Sequence, residues 1–430
     1  MNPGPLYRLY KLRKDQWLPR EKLEEIQVKR LRVLLRYAYE NVKYYRKLFD
    51  SVGVKPEDIK TVEDLSKIPI TTKSQLQKLS PDEIIAKGVE PEKCVKIRTS
   101  GSTGTPLDII LAKKEKQFFD IVWIRSFMEN GLKFRDKKVT IWSIPNLSTR
   151  KYWFQHLGIM RREYICFYDD NSDPLEALQK ANPDIISSVP SILKLLAVKL
   201  KKRKSINVQS RAIFSTSELL ERETRELIES TFKVEVFDYY GSEELGCIGW
   251  ECSEHKGYHL NIDTVVVQFI KNGAIVTPGE RGELICTGLH SYAMPFIRYK
   301  IGDVGITSDK QCPCGRGLPL MEKLEGRSED FIKLSNGKMI APTTFFIIMR
   351  GLKGIKQYRI VQEEIDKLII YLVKGNDFEP SIPEQIRERV KKCLQEDIHV
   401  KIDIVDSIPR DSSGKLRSVI SKVKIDEDVL

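Results

Sequence analysis

The segment from Arg98 to Ile109, RTSGSTGTPLDI, places five hydroxyl side chains and two glycines around one proline. Small residues leave backbone N–H groups uncovered, and serine and threonine hydroxyls add donors, so such a loop can hold phosphate oxygens. It is not a Walker loop, because no lysine directly follows the second glycine. An ordinary surface loop has a similar composition, so these residues alone leave both interpretations open.

Three further segments carry groups that suit a nucleotide. YYGSEELG at 239–246 sets two aromatic rings against two carboxylates, which suits base stacking and a hard cation. IRYKIGDVG at 297–305 places Asp303 after a glycine, where a carboxylate can accept both hydroxyls of a ribose. PRDSSGKLRS at 409–418 presents Lys415 as a point charge for a phosphate. Taken singly, each segment is better explained as an ordinary turn or solvated loop.

The combination and order of these segments resemble the adenylate-forming superfamily. TSGSTGTP resembles its phosphate loop, YYGSEE its Tyr-Gly-x-Thr-Glu element, RYKIGD its Arg-x-x-Gly-Asp element, GRSED its hinge, and PRDSSGK its C-terminal lysine loop. The N-terminal text YAYENVKYYRKLFDSVGVKPEDIKTVEDLSKIPITTKSQL further resembles the branch of phenylacetate-CoA ligases and their capsule-biosynthesis relatives. The resemblance therefore covers essentially the whole chain.

The activity that this resemblance implies is activation of a carboxylic acid by ATP and Mg²⁺. The acid, expected to be aryl or arylacetic, would become an acyl adenylate with release of pyrophosphate and then pass to CoA. Two alternatives stay open at this point. The acyl group could instead pass to an amine, a hydroxyl or a carrier protein, or the chain could be a non-catalytic nucleotide-binding relative.

The resemblance also assigns roles to individual residues. Binding of the β- and γ-phosphates is assigned to the phosphate loop, Thr99, Ser100, Gly101, Ser102, Thr103 and Gly104. The side of the site that binds adenine is assigned to Ser217, Glu218, Asp238, Tyr239, Tyr240, Gly241 and Ser242. Asp303 would take the ribose hydroxyls, assisted by Arg327. The catalytic set is Lys415, which bridges the carboxylate and α-phosphate, with Thr103 and the Mg²⁺-placing Glu244.

Three positions depart from the family pattern. Glu243 replaces the usual threonine or serine, and Ile301 replaces the usual threonine. Glu329 stands where the hinge residue is usually aspartate. The extra carboxylate beside Glu244 would either tighten Mg²⁺ binding or repel ATP.

A second group of residues has the types and spacing of a zinc site. Cys252 and His255 are separated by two residues, and Cys312 and Cys314 by one, so each pair could chelate one tetrahedral ion from a tight turn. We predict a structural zinc on these four residues, as in some relatives of the branch that the chain resembles. Cys247 and His259 are spare candidates. The alternative is four unconnected residues, since a free cysteine is often a small buried hydrophobe.

The elements that must position these residues alternate along the chain. Short apolar segments at 138–145, 164–169, 183–190, 211–218 and 234–241 predict strands, and helical patterns separate them. This predicts an α/β protein with layered, mostly parallel sheets, whose ligand lies beyond the strand ends. A β-rich subdomain follows from about residue 255. We predict two domains, 1–325 for ATP, acid and zinc, and 326–430 as a small mobile α+β domain that pivots at Glu329.

Composition limits the partners. The net charge is +12, but the basic residues are interspersed with acidic ones along the chain. The one dense basic run, KLKKRKS at 199–205, ends a helical pattern. A cationic helix end is the expected explanation, so we predict no nucleic-acid partner. The apolar runs are too short for a membrane span, and no signal peptide is evident. We expect a cytoplasmic monomer or homodimer whose partners are a small carboxylic acid, ATP and CoA.

Replacing Lys415 tests the alignment. Lys415 lies nearly ninety residues beyond the hinge-like GRSED, so it reaches the α-phosphate only when its domain closes over the site. Lys415→Ala removes the cation that meets two converging anions, and we expect acyl-adenylate formation to fall at least about a hundredfold. The variant should still consume a supplied acyl adenylate with CoA. Adenylate formation at the wild-type rate, measured by pyrophosphate exchange, would contradict the assigned role.

Overall fold

A computed structural model describes residues 4–98, 107–142, 153–167, 172–203, 205–327, 330–337, 339–340, 342–349, 352–394, 396, 398–409 and 417–423. Its helices are α1 (Pro5–Asp15), α2 (Arg20–Asn41), α3 (Lys43–Ser51), α4 (Lys73–Gln77), α5 (Pro81–Ile84), α6 (Lys113–Glu129), α7 (Trp153–His156), α8 (Pro174–Ala181), α9 (Pro190–Lys202), α10 (Arg222–Phe232), α11 (Pro342–Met349) and α12 (Ile382–Leu394).

The strands have the following bounds. They are β1 (Val95–Arg98), β2 (Asp108–Leu111), β3 (Lys137–Trp142), β4 (Arg161–Cys166), β5 (Ile185–Ser188), β6 (Ala212–Thr216), β7 (Val236–Ser242), β8 (Gly246–Trp250), β9 (Tyr258–Leu260), β10 (Val265–Lys271), β11 (Ala274–Ile275), β12 (Arg281–Gly288), β13 (Tyr299–Thr307), β14 (Leu320–Arg327), β15 (Ile332–Lys333), β16 (Met339–Ile340), β17 (Ile355–Glu364), β18 (Lys367–Lys374), β19 (His399–Ile404) and β20 (Val419–Ser421).

Local sequence signals set the ends of the crossover helices. At the start of α8, the Asp173 carboxylate accepts N–H bonds from Leu175 and Glu176, and Pro174 supplies a preset φ at the first helical position. Asn182 ends the same helix in the left-handed conformation, with φ +46°. Such caps fix where each parallel strand begins and ends, and hence where the loops beyond the strands emerge.

One long sheet carries most of the chain. Its strand order is β11-β10-β12-β13-β14-β9-β8-β7-β6-β5-β3-β4. The five strands β4, β3, β5, β6 and β7 are parallel to one another. From β8 onward the pairings are antiparallel. The predicted α/β class with parallel strands and a β-rich part is confirmed, and the two parts are continuous in a single sheet.

Helices cover both faces of the parallel half. Residues that alternate along β3, β5 and β6 point to α8, α9 and α10 on one face, where Val139, Ile186 and Ile213 are buried. The other face packs against α6, with Phe214 and Phe237 buried beneath it. This burial on both faces explains why these strands are apolar runs in the sequence.

A separate four-stranded sheet forms near the C-terminus, in the order β19-β18-β17-β20. Its core packs α11 and α12 against the sheet, with Phe345, Ile386 and Ile370 fully buried. The predicted α+β character of this part is confirmed by the strands β17 and β18, the helix α12 and the strand β19. The short β20, parallel to β17, was not predicted because three residues give no periodic signal.

No helix within these described ranges combines the length and the apolar character that crossing a bilayer requires.

A buried ion pair locks α6 to the antiparallel part of the sheet. Arg125 Nη1 and Nη2 donate to the two carboxylate oxygens of Asp263, at 2.7 and 3.2 Å. Both side chains are fully buried. The fork geometry satisfies both carboxylate oxygens, which a buried pair needs in order to offset its loss of hydration.

We expect Arg125→Met to destabilise the protein by about 3–5 kcal/mol, because it leaves the Asp263 charge buried without a partner. The matched control is Arg222→Met, which breaks an exposed pair with Glu226 and should leave the stability nearly unchanged. Urea denaturation followed by tryptophan emission measures both. Equal shifts for the two variants would show that the buried pair does not hold α6.

Candidate functional site

The ends of β6 and β7 define one side of the candidate site. Thr216 at the end of β6 is in register with Tyr239 on β7, and its hydroxyl donates to the Tyr239 carbonyl oxygen at 3.0 Å. Both strands are parallel, so their carboxyl ends lie together at one edge of the sheet, where open α/β sheets bind ligands. Ser217 follows β6 at this edge, and the YYGSEE segment runs from the end of β7 into the turn before β8.

A hydrogen bond joins YYGSEE to the RYKIGD segment. The Tyr240 hydroxyl donates to Asp303 Oδ2 at 2.7 Å. Asp303 on β13 is in register with Arg327 on β14, whose Nε lies 3.7 Å from Asp303 Oδ1. Burial and the Asp303 charge raise the pKa of Tyr240 well above its usual value, so the phenol stays protonated as a donor. Asp303 is half-buried, so its carboxylate is oriented but still accessible.

A second hydrogen bond joins the same two segments. The Tyr299 hydroxyl lies 3.2 Å from Glu244 Oε1, to which it donates. Both residues are buried. Burial, reinforced by the Glu244 charge, raises the pKa of Tyr299 far above its usual value. Glu244 is thus a fixed carboxylate that faces a neutral donor, and a carboxylate oxygen is a ligand that Mg²⁺ accepts.

These two contacts require a strongly curled sheet. Three strands, β8, β9 and β14, separate β7 from β13 in the strand order. In a flat sheet that separation would be about 19 Å, from four spacings of about 4.8 Å. The hydrogen bonds of Tyr240 and Tyr299 show that the sheet instead folds over, so that residues some sixty positions apart in sequence face one another.

Gly241 lets α6 approach the site closely. A Cβ at this position would lie 2.3 Å from the Gly246 carbonyl oxygen and 2.8 Å from a ring carbon of Trp123. Neither distance is compatible with a side chain. The glycine of YYGSEE is therefore required by packing, because α6 and the β7–β8 turn meet over it.

The two tyrosines of YYGSEE lie on opposite faces of β7. The Tyr239 ring packs against Phe127 and Phe214, and its hydroxyl accepts a hydrogen bond from Asn130 at 2.8 Å. Tyr240 points the other way, to Asp303. The expectation that both rings surround one adenine is therefore corrected, because alternate residues of a strand face opposite sides. Tyr239 belongs to the core beneath α6.

Asp238 also has a structural environment. Its carboxylate accepts a hydrogen bond from the Tyr258 hydroxyl, and its N–H donates to Glu251 Oε2 at 2.9 Å. Burial and the neighbouring Glu251 charge raise the pKa of Asp238 to about 7. Only 3 % of Asp238 is exposed, so its side chain is not presented to the strand ends.

The remaining described candidates lie around the same edge. Ser217 is exposed, with φ +70°, and Glu218 receives hydrogen bonds from the backbone N–H and hydroxyl of Ser191 at the start of α9. Glu218 thus caps α9 rather than facing outward freely. Ser242, half-buried, ends β7. Glu243 is exposed.

Several predicted residues fall outside the described ranges. They are Thr99, Ser100, Gly101, Ser102, Thr103 and Gly104 of the phosphate loop, Glu329 of the hinge and Lys415 of the lysine loop. Their roles stay predictions from the resemblance.

A cluster of three cysteines and one histidine forms beside the sheet. The ligand atoms of Cys252, His259, Cys312 and Cys314 all lie within 4.8 Å of one another. Cys252 Sγ is 3.6 Å from Cys312 Sγ, and Cys314 Sγ is 3.3 Å from His259 Nε2. This is the donor set and compactness of a tetrahedral zinc site.

The environment of the cluster suits a metal. His259 Nδ1 lies 3.4 Å from the Leu318 carbonyl oxygen, which fixes the ring with Nε2 toward the thiols. Burial raises the pKa of Cys252 to about 12. Burial also opposes ionisation of Cys314, but hydrogen bonds from His259 and Arg316 outweigh it and lower the pKa of Cys314 to about 6.

His255 is not part of this cluster, so the predicted fourth ligand is corrected to His259. The His255 ring stacks on Phe237, and its Nδ1 lies 3.6 Å from Glu251 Oε2. The Glu251 carboxylate raises the pKa of His255. The short Cys-x-x-His spacing does not bring the ring to Cys252, because the chain turns at His255, where φ is +46°. Cys247, the other spare candidate, is buried beside Ser126.

The sequence analysis did not identify two tyrosines that hydrogen-bond to predicted carboxylates. Tyr299 lies inside RYKIGD, next to residues that were named. The sequence feature that could have identified it is an aromatic residue at the start of a buried strand. Tyr258 contacts Asp238, and nothing in the sequence links those two positions.

Comparisons with known proteins agree with the sequence motifs. Residues 332–422 match the family described as the CapK C-terminal domain. The chain is 27 % identical to a phenylacetate-coenzyme A ligase of Aromatoleum evansii over 446 residues, covering 98 % of each chain. It is 24 % identical to protein CapK of Staphylococcus aureus over 415 residues, covering 94 % of this chain and 90 % of that protein.

The fold has a solved counterpart in a 2-hydroxyisobutyryl-CoA ligase in its postadenylation state. The TM-score is 0.78 at 19 % identity, covering 94 % of this chain and 90 % of that chain. The resemblance to adenylate-forming ligases and to the phenylacetate-CoA ligase-like branch with its capsule-biosynthesis relatives is therefore confirmed.

Proposed function

We propose that the protein activates a carboxylic acid with ATP to an acyl adenylate and transfers the acyl group to CoA. The observation that carries this proposal is the pair of hydrogen bonds, from Tyr240 to Asp303 and from Tyr299 to Glu244, by which YYGSEE and RYKIGD meet. The similarity to phenylacetate-coenzyme A ligases over nearly the whole chain supports the same activity. An aryl or arylacetic acid is the proposed substrate class.

The residues of the site each have a task in this reaction. Asp303 accepts the ribose hydroxyls. Its carboxylate is oriented for this task by Tyr240, which donates to Oδ2, and by Arg327, whose Nε lies 3.7 Å from Oδ1. Glu244, oriented by Tyr299, would hold a Mg²⁺ ion, which would offset the charge of the phosphates. Both tasks depend on carboxylates whose positions are fixed before the nucleotide binds.

Two further steps belong to residues outside the described ranges. We assign phosphate binding to Thr99–Gly104 and the bridging cation to Lys415, with the pivot at Glu329 and domains of 1–325 and 326–430. The family match at 332–422 supports a separate unit for the C-terminal part.

A second candidate keeps the adenylation and changes the acceptor. The match of the C-terminal part to the CapK family and the similarity to protein CapK favour it. The acyl group would then pass to an amine, a hydroxyl or a carrier protein instead of CoA.

Pyrophosphate exchange over aryl, arylacetic and short aliphatic acids tests the first step. Asp303→Asn should weaken apparent ATP affinity about ten- to a hundredfold, because a hydrogen bond to a charged group contributes about 1.5–3 kcal/mol. The control is Asp309→Asn, which replaces an exposed carboxylate two residues after the end of β13 and should leave pyrophosphate exchange unchanged. Failure of every acid to support exchange would refute adenylation. CoA-dependent release of AMP then separates the two acceptors.

The cysteine–histidine cluster is proposed to hold one structural zinc. Cys252, His259, Cys312 and Cys314 would fill all four positions, so no position is open for a substrate. The ligands come from the β8–β9 connection, from β9 itself and from the loop before β14. A zinc ion held by these four residues would link the three segments.

We expect His259→Ala to lose about one bound zinc per chain and to lower the melting temperature, since structural zinc contributes to folding free energy. His255→Ala is the matched control and should keep the metal. Elemental analysis and thermal melting of the two purified variants decide the point. Zinc lost from His255→Ala and kept by His259→Ala would reverse the ligand assignment.

A further inference from the structure

The outer face of α1 carries an unusual concentration of exposed apolar side chains. Leu6 is 72 % exposed, Tyr7 57 %, Tyr10 61 % and Trp17, just after the helix, 50 %. Single exposed apolar residues are normal on soluble proteins, but several on one helix face form a patch. With 3.6 residues per turn, Leu6, Tyr7 and Tyr10 fall within an arc of about 100°.

The inner face of α1 is held firmly, so this patch has a fixed orientation. Leu9 and Leu12 are buried, and Arg13 Nε donates to Glu129 Oε1 at 2.8 Å. The Arg316 guanidinium lies over one face of the Trp17 ring at 4.4 Å. The apolar face therefore points outward because the opposite face is built into the protein.

Positive charge surrounds the patch. Lys14 lies in the same arc as the exposed apolar residues and is itself exposed, and Lys11 and Arg13 stand at its two edges. The only carboxylate of α1, Asp15, is buried and paired with Lys11 at 2.9 Å. At the start of α2, Glu24 and Glu25 are likewise paired, with Arg20 and Lys22.

We propose that α1 docks this protein on the surface of an anionic lipid bilayer. Tyrosine and tryptophan suit a membrane interface, since each has an apolar ring and a polar edge, and flanking lysine and arginine are attracted by anionic headgroups. Charge decides against a second copy as the occupant, because symmetric pairing would bring together the Lys14 ammonium groups of two chains and their Arg13 side chains, each of which shares the single carboxylate of Glu129 with Arg316. The helix lies on the surface and does not cross it.

Vesicle cosedimentation of the full chain tests this proposal independently of the proposed enzyme activity. We expect at least about tenfold tighter binding to phosphatidylglycerol-containing vesicles than to pure phosphatidylcholine. The difference should shrink when salt rises from about 0.1 M to about 1 M, because the Debye length falls from about 10 to 3 Å. Equal binding to both vesicles, or none to either, overturns the proposal.

Variants locate the contact. Leu6→Ser/Tyr10→Ser should weaken binding to the anionic vesicles roughly tenfold or more. The matched control Leu157→Ser/Val198→Ser alters two exposed apolar residues elsewhere, 67 % and 40 % exposed, and should bind as wild type. Lys14→Glu, which removes no apolar contact, should also weaken binding on the anionic vesicles only.

The same variants distinguish other occupants. None of them touches the proposed nucleotide site, so pyrophosphate exchange and melting temperature should match wild type. Wild-type lipid affinity for both Leu6→Ser/Tyr10→Ser and Lys14→Glu overturns the proposal. So does a wild-type dimer that Leu6→Ser/Tyr10→Ser converts to monomer in sedimentation velocity, since a second copy would then cover the face.

Discussion

The curl of the long sheet is the constraint on which the candidate site depends. Tyr240 and Asp303 lie on strands with three others between them, yet they are hydrogen-bonded. Bulges bend strands, and the pairing shifts at Tyr240/Gly241 on β7 and at Val304/Gly305 on β13. At Gly305 a Cβ would lie 2.7 Å from the Met321 sulfur and 3.2 Å from the Lys323 carbonyl oxygen, so the glycine leaves room for the Met321 side chain beside β13.

Helix α6 supports the curled sheet from one side. Trp123 rests on Gly241, and the Phe119 ring lies 3.1 Å from where a Cβ of Gly246 would stand. These contacts bracket the turn that carries Glu244. The buried pair between Arg125 and Asp263 holds the same helix to the start of β10. The turn is thus held by two aromatic side chains, one helical turn apart, on a helix that is itself fixed to the sheet.

How much the sequence could predict follows from the range of the contacts involved. The parallel strands and the small C-terminal sheet were predictable, because periodicity and strand–helix alternation are local signals. The convergence of Asp303 with Tyr240 followed from resemblance and not from local pattern. The choice between His255 and His259 could not be made locally, since it depends on pairing of β9 with β14, which sets His259 opposite Leu320.

The direction in which side chains point was the second feature that limited the prediction of the site from the sequence. YYGSEE suggested two stacking rings, but strand alternation sends Tyr239 to Asn130 and only Tyr240 to Asp303. Period-two alternation is readable from sequence once a strand is assigned, so this error was avoidable. The role of Asp238 was not, because its partner Tyr258 comes from β9, across a pairing that no sequence pattern specifies.

The cysteine–histidine cluster and the candidate nucleotide site share supporting contacts. Arg316, two residues after Cys314, donates to Glu129 Oε2 at the end of α6, at 2.7 Å. Glu251, next to Cys252, accepts the N–H of Asp238 on β7. Hydrogen bonds therefore connect the two cysteine-bearing segments to the end of α6 and to the middle of β7. Tyr240 lies two residues after Asp238 on the same strand, so the hydrogen bond that Glu251 accepts from Asp238 helps to set the position of β7 at the candidate site.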